Sequence, residues 1–204
     1  SNDNKVLYDF FRTGIYDKKR EFILTSSPSM DILISSNLER LIYLSTGCDA
    51  EANRSLMEQL NTQGSYEVTE TMKEAMKDFT GGFATEAENA AEIKKVYEDT
   101  GYVIDTHTGV ASAVYRAYAE KTGDTTPTVI ASTASPYKFS HSVMEAIRGD
   151  EGSKDEFAII DELCSVSGVK IPAAVEEIRN AEIRHKRESD VEDMEKTVAE
   201  ILGL

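Results

Sequence analysis

The chain has 204 residues, enough for one good-sized domain or two small ones, with the 40% hydrophobic and 29% charged residues of an ordinary globular protein. Its 37 acidic side chains against 22 basic ones leave a formal charge of -15, a field that repels phosphate backbones and anionic lipid. Neither nucleic acid nor a membrane is therefore expected as a partner, and no apolar run approaches the length of a membrane span.

Cys48 and Cys164 stand far apart without CxxC spacing, which suggests neither a disulfide framework nor a zinc site. Two free thiols fit a reducing, cytoplasmic setting. The opening Ser1-Asn2-Asp3-Asn4 has no initiator Met and no apolar stretch of a secretion signal.

In chain order, Val6, Leu7, Phe10 and Phe11 fall on one stripe of a short helix that Gly14 can close. Phe22-Ile23-Leu24 reads as a strand leading into the turn Ser26-Ser27-Pro28-Ser29. Ser36-Asn37 can cap a helix carrying Leu38, Leu41 and Ile42 and ending at Gly47. Residues 49–62 look amphipathic, and two helices with acidic first turns are expected at 69–79 and 85–97, separated by Gly81-Gly82. A short strand Tyr102-Val103-Ile104 leads to a helix at 108–121, and residues 128–133 read as a buried strand ending in small polar residues. Helices follow at about 135–148, 154–166, 172–183 and 190–202, with residues 184–189 as a solvated link. Two or three strands against about nine helices are too few for a complete doubly wound sheet, which suits a portion of a larger α/β protein.

Three places carry polar chemistry. Residues 128–133 deliver Ser132, Thr133 and then Ser135 to the carboxyl end of the predicted strand, where open α/β sheets hold ligands. Pro136 sits where a helix could begin and Lys138 in its first turn, so free N–H groups and one ammonium would favour an anion. On the spacing alone, a plain strand-to-helix turn with a solvated lysine is the favoured reading. Asp105 and His107 at the mouth of a helix could be a base and its orienting carboxylate, or a helix cap beside a satisfied histidine. The third place is residues 26–31 with residues 35–40 after them, where Glu39 and Arg40 could equally be surface charge.

As a set, these residues resemble threonine synthase. Pro28-Ser29-Met30-Asp31-Ile32 followed by Ser36-Asn37-Leu38-Glu39-Arg40 resembles the family's P-S-M-D-I and S-N-x-E-R. Asp105-x-His107-Thr108 resembles its D-P-H-T-A, and residues 132–139 resemble S-T-A-[HS]-P-x-K-F. Asn2-x-Asn4 is similar to the family's entry to this region, so Ser1-Asn2 reads as native sequence as readily as a tag remnant. Thr106 and Gly109 depart from the family's Pro and Ala.

The resemblance implies a helix-rich, incomplete portion of an α/β fold type II pyridoxal-phosphate (PLP) enzyme. It implies the C-terminal part of a carbon–oxygen lyase acting on phosphates, which converts O-phospho-L-homoserine and water to L-threonine and phosphate in threonine biosynthesis. Residues 1–48 and 100–150 would supply cofactor and substrate-cleft elements, 49–99 a helical insertion and 151–204 the C-terminal helices. Thr133 would meet the cofactor's pyridine nitrogen. Lys138 and Arg40 would face the substrate phosphate, and Ser36, Asn37, Asp105 and His107 would line the cleft. The Schiff-base lysine and the phosphate-binding loop belong to the family's N-terminal portion, so that portion is the expected partner. This chain alone is expected to be inactive and without covalent PLP. Ser153-Lys154-Asp155 only imitates a lysine motif and reads as a helix start. A monomer is expected. Two other readings are a non-catalytic helical interaction domain and a metal-dependent hydrolase using Asp105, His107 and His141. Three histidines without HxxxH or HxH spacing argue against the latter.

Overall fold

The apolar stripe of Val6 and Phe10 folds as α1 (Val6–Thr13) in the computed structural model, which describes residues 1–149 and 155–204. Gly14, at φ 77°, ends the helix in the left-handed conformation that glycine adopts without steric cost. The turn feeds straight into β1 (Ile15–Asp17), which pairs antiparallel with β2 (Ser65–Glu67). Tyr16 lies opposite Tyr66 in that register, and their rings stack with centroids 5.4 Å apart. The Tyr16 hydroxyl then reaches out of the ribbon, accepting from Ser35 N at 2.7 Å and donating to Leu33 O at 3.1 Å. It thereby fixes the loop that delivers Ser36 and Asn37.

α2 (Leu38–Ser45), α3 (Ala50–Gln63) and α4 (Glu70–Ala75) complete this part. Asp49 caps α3 by accepting from the amides of Glu51 and Ala52, a contribution of about 1 kcal/mol. Phe10, Tyr16, Ile42, Leu60, Tyr66 and Met72 form one buried cluster with their neighbours. Ile42 is wholly buried, and removing a side chain of that size from water contributes about 1.5–3 kcal/mol.

The next four helices are α5 (Glu86–Thr100), α6 (Thr106–Thr122), α7 (Ser140–Arg148) and α8 (Glu156–Ser167). α5 begins in a capping box, Thr85 and Glu88 each bonding the other's backbone N–H. It packs on α6 and α7, and α7 on α8. Buried Glu92 of α5 takes both Nε and Nη2 of Arg116 on α6 at 2.8 Å, with Ser112 Oγ at 2.7 Å. The planar guanidinium matches the carboxylate's two oxygens, which fixes the rotation of α6 as well as its distance.

The chain divides into two compact units, Ser1–Lys170 and Ile171–Leu204. The second carries α9 (Ala173–Arg179) and α10 (Met194–Leu202), with an Arg187–Glu200 ion pair at 3.0 Å.

Several expected elements are corrected. Phe22-Ile23-Leu24, Tyr102-Val103-Ile104 and residues 128–133 join no sheet; β1 and β2 are the only strands among the described residues. In the first run the backbone partner is a side chain: Asn4 accepts from Ile23 N at 3.0 Å and donates to Ile23 O at 2.9 Å. The second run buries Val103 and Ile104 on the way to the cap of α6. The third leaves Val129 94% exposed and Ile130 only partly covered, so it lacks the packed layer of a buried strand. The 135–148 helix opens as a 3₁₀ turn, Pro136–Phe139, before α7. Helices expected to run to residues 79 and 183 stop at Ala75 and Arg179. Residues 153 and 154 of the Ser153-Lys154-Asp155 motif lie outside the described residues, while Asp155 caps α8.

Candidate functional site

Asp105 stands at the N-cap of α6, where its carboxylate can satisfy amides that have no helical partner. Oδ1 accepts from His107 N at 2.9 Å and Thr108 N at 3.4 Å, and lies 3.2 Å from His107 Nδ1. Oδ2 takes the hydroxyl of Thr108. Burial of Asp105 pushes its pKa upward, but the bonds from the Thr108 hydroxyl, the two amides and the His107 ring outweigh it. The carboxyl is held below its ordinary value.

The same residues reach three separate stretches of chain. His107 Nε2 accepts from Ser29 N at 3.2 Å, so the ring's proton sits on Nδ1 and points at Asp105. Thr108 Oγ1 lies 2.9 Å from Ser132 Oγ. Since Thr108 has one proton and the carboxylate can only accept, Ser132 donates to Thr108 and Thr108 to Asp105. Phe139 places its ring 4.7 Å from that of His107, and Lys138 holds its ammonium 5.9 Å from the Phe139 ring. Residues 28–30, 105–108 and 132–139 are thus joined around one buried carboxylate.

A second carboxylate shapes the turn that carries Ser29. Asp31 accepts from Asn2 Nδ2 and Thr25 Oγ1, each at 2.7 Å, from Thr25 N at 2.9 Å and from Asn4 Nδ2 at 3.2 Å. Asn2 and Asn4 are both buried. A cavity of about 410 Å³ opens between this turn, Val110 of α6 and Gly81-Gly82.

Of the residues singled out in the sequence, Asp105 and His107 are buried at the centre of this network, and Lys138 stands at its edge. Thr133 follows Ser132, is exposed, and its hydroxyl has no hydrogen-bond partner among the described residues. Ser36, Asn37 and Arg40 form a separate exposed group at the start of α2, where Arg40 Nη2 donates to Asn37 Oδ1 at 2.9 Å. No hydrogen bond or ion pair among the described residues joins that group to Asp105. Neither Lys138 nor Arg40 has a carboxylate partner among the described residues, in spite of the acidic composition. The connecting roles of Thr108 and the Ser29 amide were not read from the sequence. An Asp at an N-cap with a hydroxyl three residues on was the available signal. Among the described residues no group of three or more His, Cys, Asp or Glu is arranged to hold a metal ion, and no helix is long and apolar enough to cross a membrane.

The family described as "Threonine synthase, C-terminal" matches residues 108–202. The yeast threonine synthase crystal structure superposes on 99% of this chain with a TM-score of 0.75 and 30% identity, the chain covering 41% of that structure. This chain belongs to the threonine synthase family. It corresponds to the family's C-terminal portion, and its helix-rich fold is that of part of a fold type II PLP enzyme. A PLP-bound threonine synthase from Brucella melitensis matches 83% of the chain at 37% identity, with a TM-score of 0.67 and 35% of that structure covered. Human threonine synthase-like 1 is 38% identical over 150 residues, 72% of this chain and 20% of that protein. The chain therefore spans about a fifth to two fifths of the relatives that it matches.

Proposed function

We propose that this chain forms one wall of the cofactor and substrate cleft of a threonine synthase that converts O-phospho-L-homoserine and water to L-threonine and phosphate. The observation that carries the reading is the Asp105 network, which gathers three of the family's motifs and leaves Thr133 and Lys138 at the surface beside it.

The donor set fits one edge of PLP. Thr133 offers an exposed hydroxyl with no partner among the described residues, which suits the pyridine nitrogen. A hydroxyl at that place leaves the nitrogen largely unprotonated, as a carboxylate would not. When bound, the cofactor supplies the electron sink for carbanion chemistry. Lys138, with Arg40 as a companion from α2, faces the substrate phosphate and stabilises the charge that develops on it as the leaving group departs. Asn37 orients Arg40 through their hydrogen bond. Ser36 lines the same turn.

The N-terminal portion of a threonine synthase would supply the Schiff-base lysine and cover the exposed apolar surface. Leu24 is 80% exposed and Val129 94%, and a groove of about 950 Å³ runs along residues 128–131 beside α6. Phosphate release from O-phospho-L-homoserine tests the reading. The chain joined to such an N-terminal portion should release phosphate and form threonine, and either part alone should not. Turnover by this chain alone, or none by the joined protein with PLP bound, would count against it.

A further inference from the structure

We propose that Thr108 is a positioning residue, which holds Ser132 by a hydroxyl relay from Asp105 and so sets the orientation of the neighbouring Thr133 hydroxyl toward the cofactor. The proposal rests on the reading of Thr133 given above.

Thr108 lies on the first turn of α6 and is 7% exposed, whereas Ser132 belongs to an exposed segment without a sheet partner. Residues 124–135 run as a long connection between α6 and the 3₁₀ turn at Pro136–Phe139. An unpaired segment of that length would ordinarily sample many backbone conformations. No backbone hydrogen bond among the described residues fixes Ser132 or Thr133. The one polar tie among the described residues is the 2.9 Å contact between the hydroxyls of Ser132 and Thr108.

The tie is stronger than a bond between two neutral hydroxyls. Thr108 gives its proton to a carboxylate that is itself fixed by two amides and an imidazole. Donating to an ion makes the Thr108 oxygen a better acceptor for Ser132, and each bond in such a chain strengthens the next. The relay has a single direction, Ser132 to Thr108 to Asp105. Its anchor is the N-cap of a helix that is locked to α5 by the Glu92–Arg116 pair. The flexible end of the site is thus referred to the rigid end through one hydroxyl.

Two measurements test this. In the 204-residue chain, ¹⁵N relaxation should give Ser132 and Thr133 order parameters near the rigid value of about 0.85, falling to about 0.6 or below in Thr108→Val. Thr108→Ser, which keeps the hydroxyl, should restore them, and Val110 should not change in either variant. Disorder at Thr133 in the unaltered chain, or unchanged order in Thr108→Val, would overturn the proposal.

In the enzyme completed by a threonine synthase N-terminal portion, Thr108→Val should move the absorption maximum of bound PLP in the same direction as Thr133→Val, by a smaller amount. kcat should fall about tenfold while KM stays within about twofold, because orientation and not binding is lost. Thr108→Ser should return both readings. A spectrum that moves with Thr133→Val but not with Thr108→Val overturns the proposal alone. A spectrum that moves with neither overturns the cofactor reading, and the proposal with it.

Discussion

Asn89 of α5 presses its side-chain oxygen onto the face of α6 at Gly109, where a Cβ would also come within 2.8 Å of Ile93 Cγ1 and nearer still to the Asn89 oxygen. The family motif has Ala at this place, and here the space for its methyl group is filled by the neighbouring helix. Asn89 and Ile93 are each 1% exposed, and Asn89 is held on its other side by Ser26 Oγ at 3.3 Å, so neither can swing away.

Gly109→Ala should therefore destabilise the chain although alanine is the better helix former. The propensity gain is about 1 kcal/mol, and forcing atoms into a packed interface costs about 1–3 kcal/mol. A net loss of up to about 2 kcal/mol should appear in urea unfolding. Adding Asn89→Ala should reduce the cost of Gly109→Ala, because the opposing oxygen is then gone. A Gly109→Ala chain more stable than the original would show that the two helices are not packed as described.

Tyr16→Phe removes the hydroxyl that accepts from Ser35 N and donates to Leu33 O. Ring stacking with Tyr66 survives the change, so the ribbon should persist. Two backbone groups lose their partner, which costs about 1–3 kcal/mol where water cannot replace it. Amide exchange at Ser35 should accelerate while Phe10 in α1 keeps its protection. Equal acceleration at both would mean that the whole unit is loosened and that Tyr16 has no specific hold on the Ser36-Asn37 loop.

The pH dependence of stability follows from Asp105. Its carboxyl is held below the ordinary 3.8, so the folded state binds its proton less readily than the unfolded state. The stabilisation is present above that ordinary value and is lost as pH falls through the lower, folded one. Asp105→Asn keeps a side-chain acceptor for the cap but gives up the charge. At neutral pH it should be less stable by about 1.5–3 kcal/mol, the worth of hydrogen bonds to a charged group. The gap should narrow as unfolding is measured down to about pH 2. A gap that stays constant with pH would show that the charge contributes nothing.

The helices were legible because their caps and apolar stripes are local. Thr85 with Glu88 and Asp105 with Thr108 announce helix starts within four residues, and Gly14, Gly64 and Gly123 mark the stops. The strands were not legible. Residues 128–133 carry a strand's composition, but pairing depends on a partner elsewhere, and Val129 is left almost wholly exposed. Conversely, β1 and β2 are three residues long, too short to show alternation, and are fixed by Tyr16 meeting Tyr66 across some 50 positions. The residues proposed to line the cleft were read as motifs, but their connections were not. His107 meets Ser29 across 78 positions and Thr108 meets Ser132 across 24, contacts that no local pattern encodes.

The most direct test of the account is a comparison of Thr133→Val with Lys138→Ala in the enzyme completed by a threonine synthase N-terminal portion. Valine keeps the β-branched shape but removes the hydroxyl proposed to meet the pyridine nitrogen. An unsatisfied buried acceptor costs about 1–3 kcal/mol, which corresponds to a rate loss of about tenfold to hundredfold if felt in the transition state. Thr133→Val should move the visible absorption of bound PLP and lower kcat with little change in unfolding midpoint. Lys138→Ala should leave the spectrum in place and weaken the handling of the substrate phosphate. A spectrum that moves with Lys138→Ala and stays put with Thr133→Val would contradict the account.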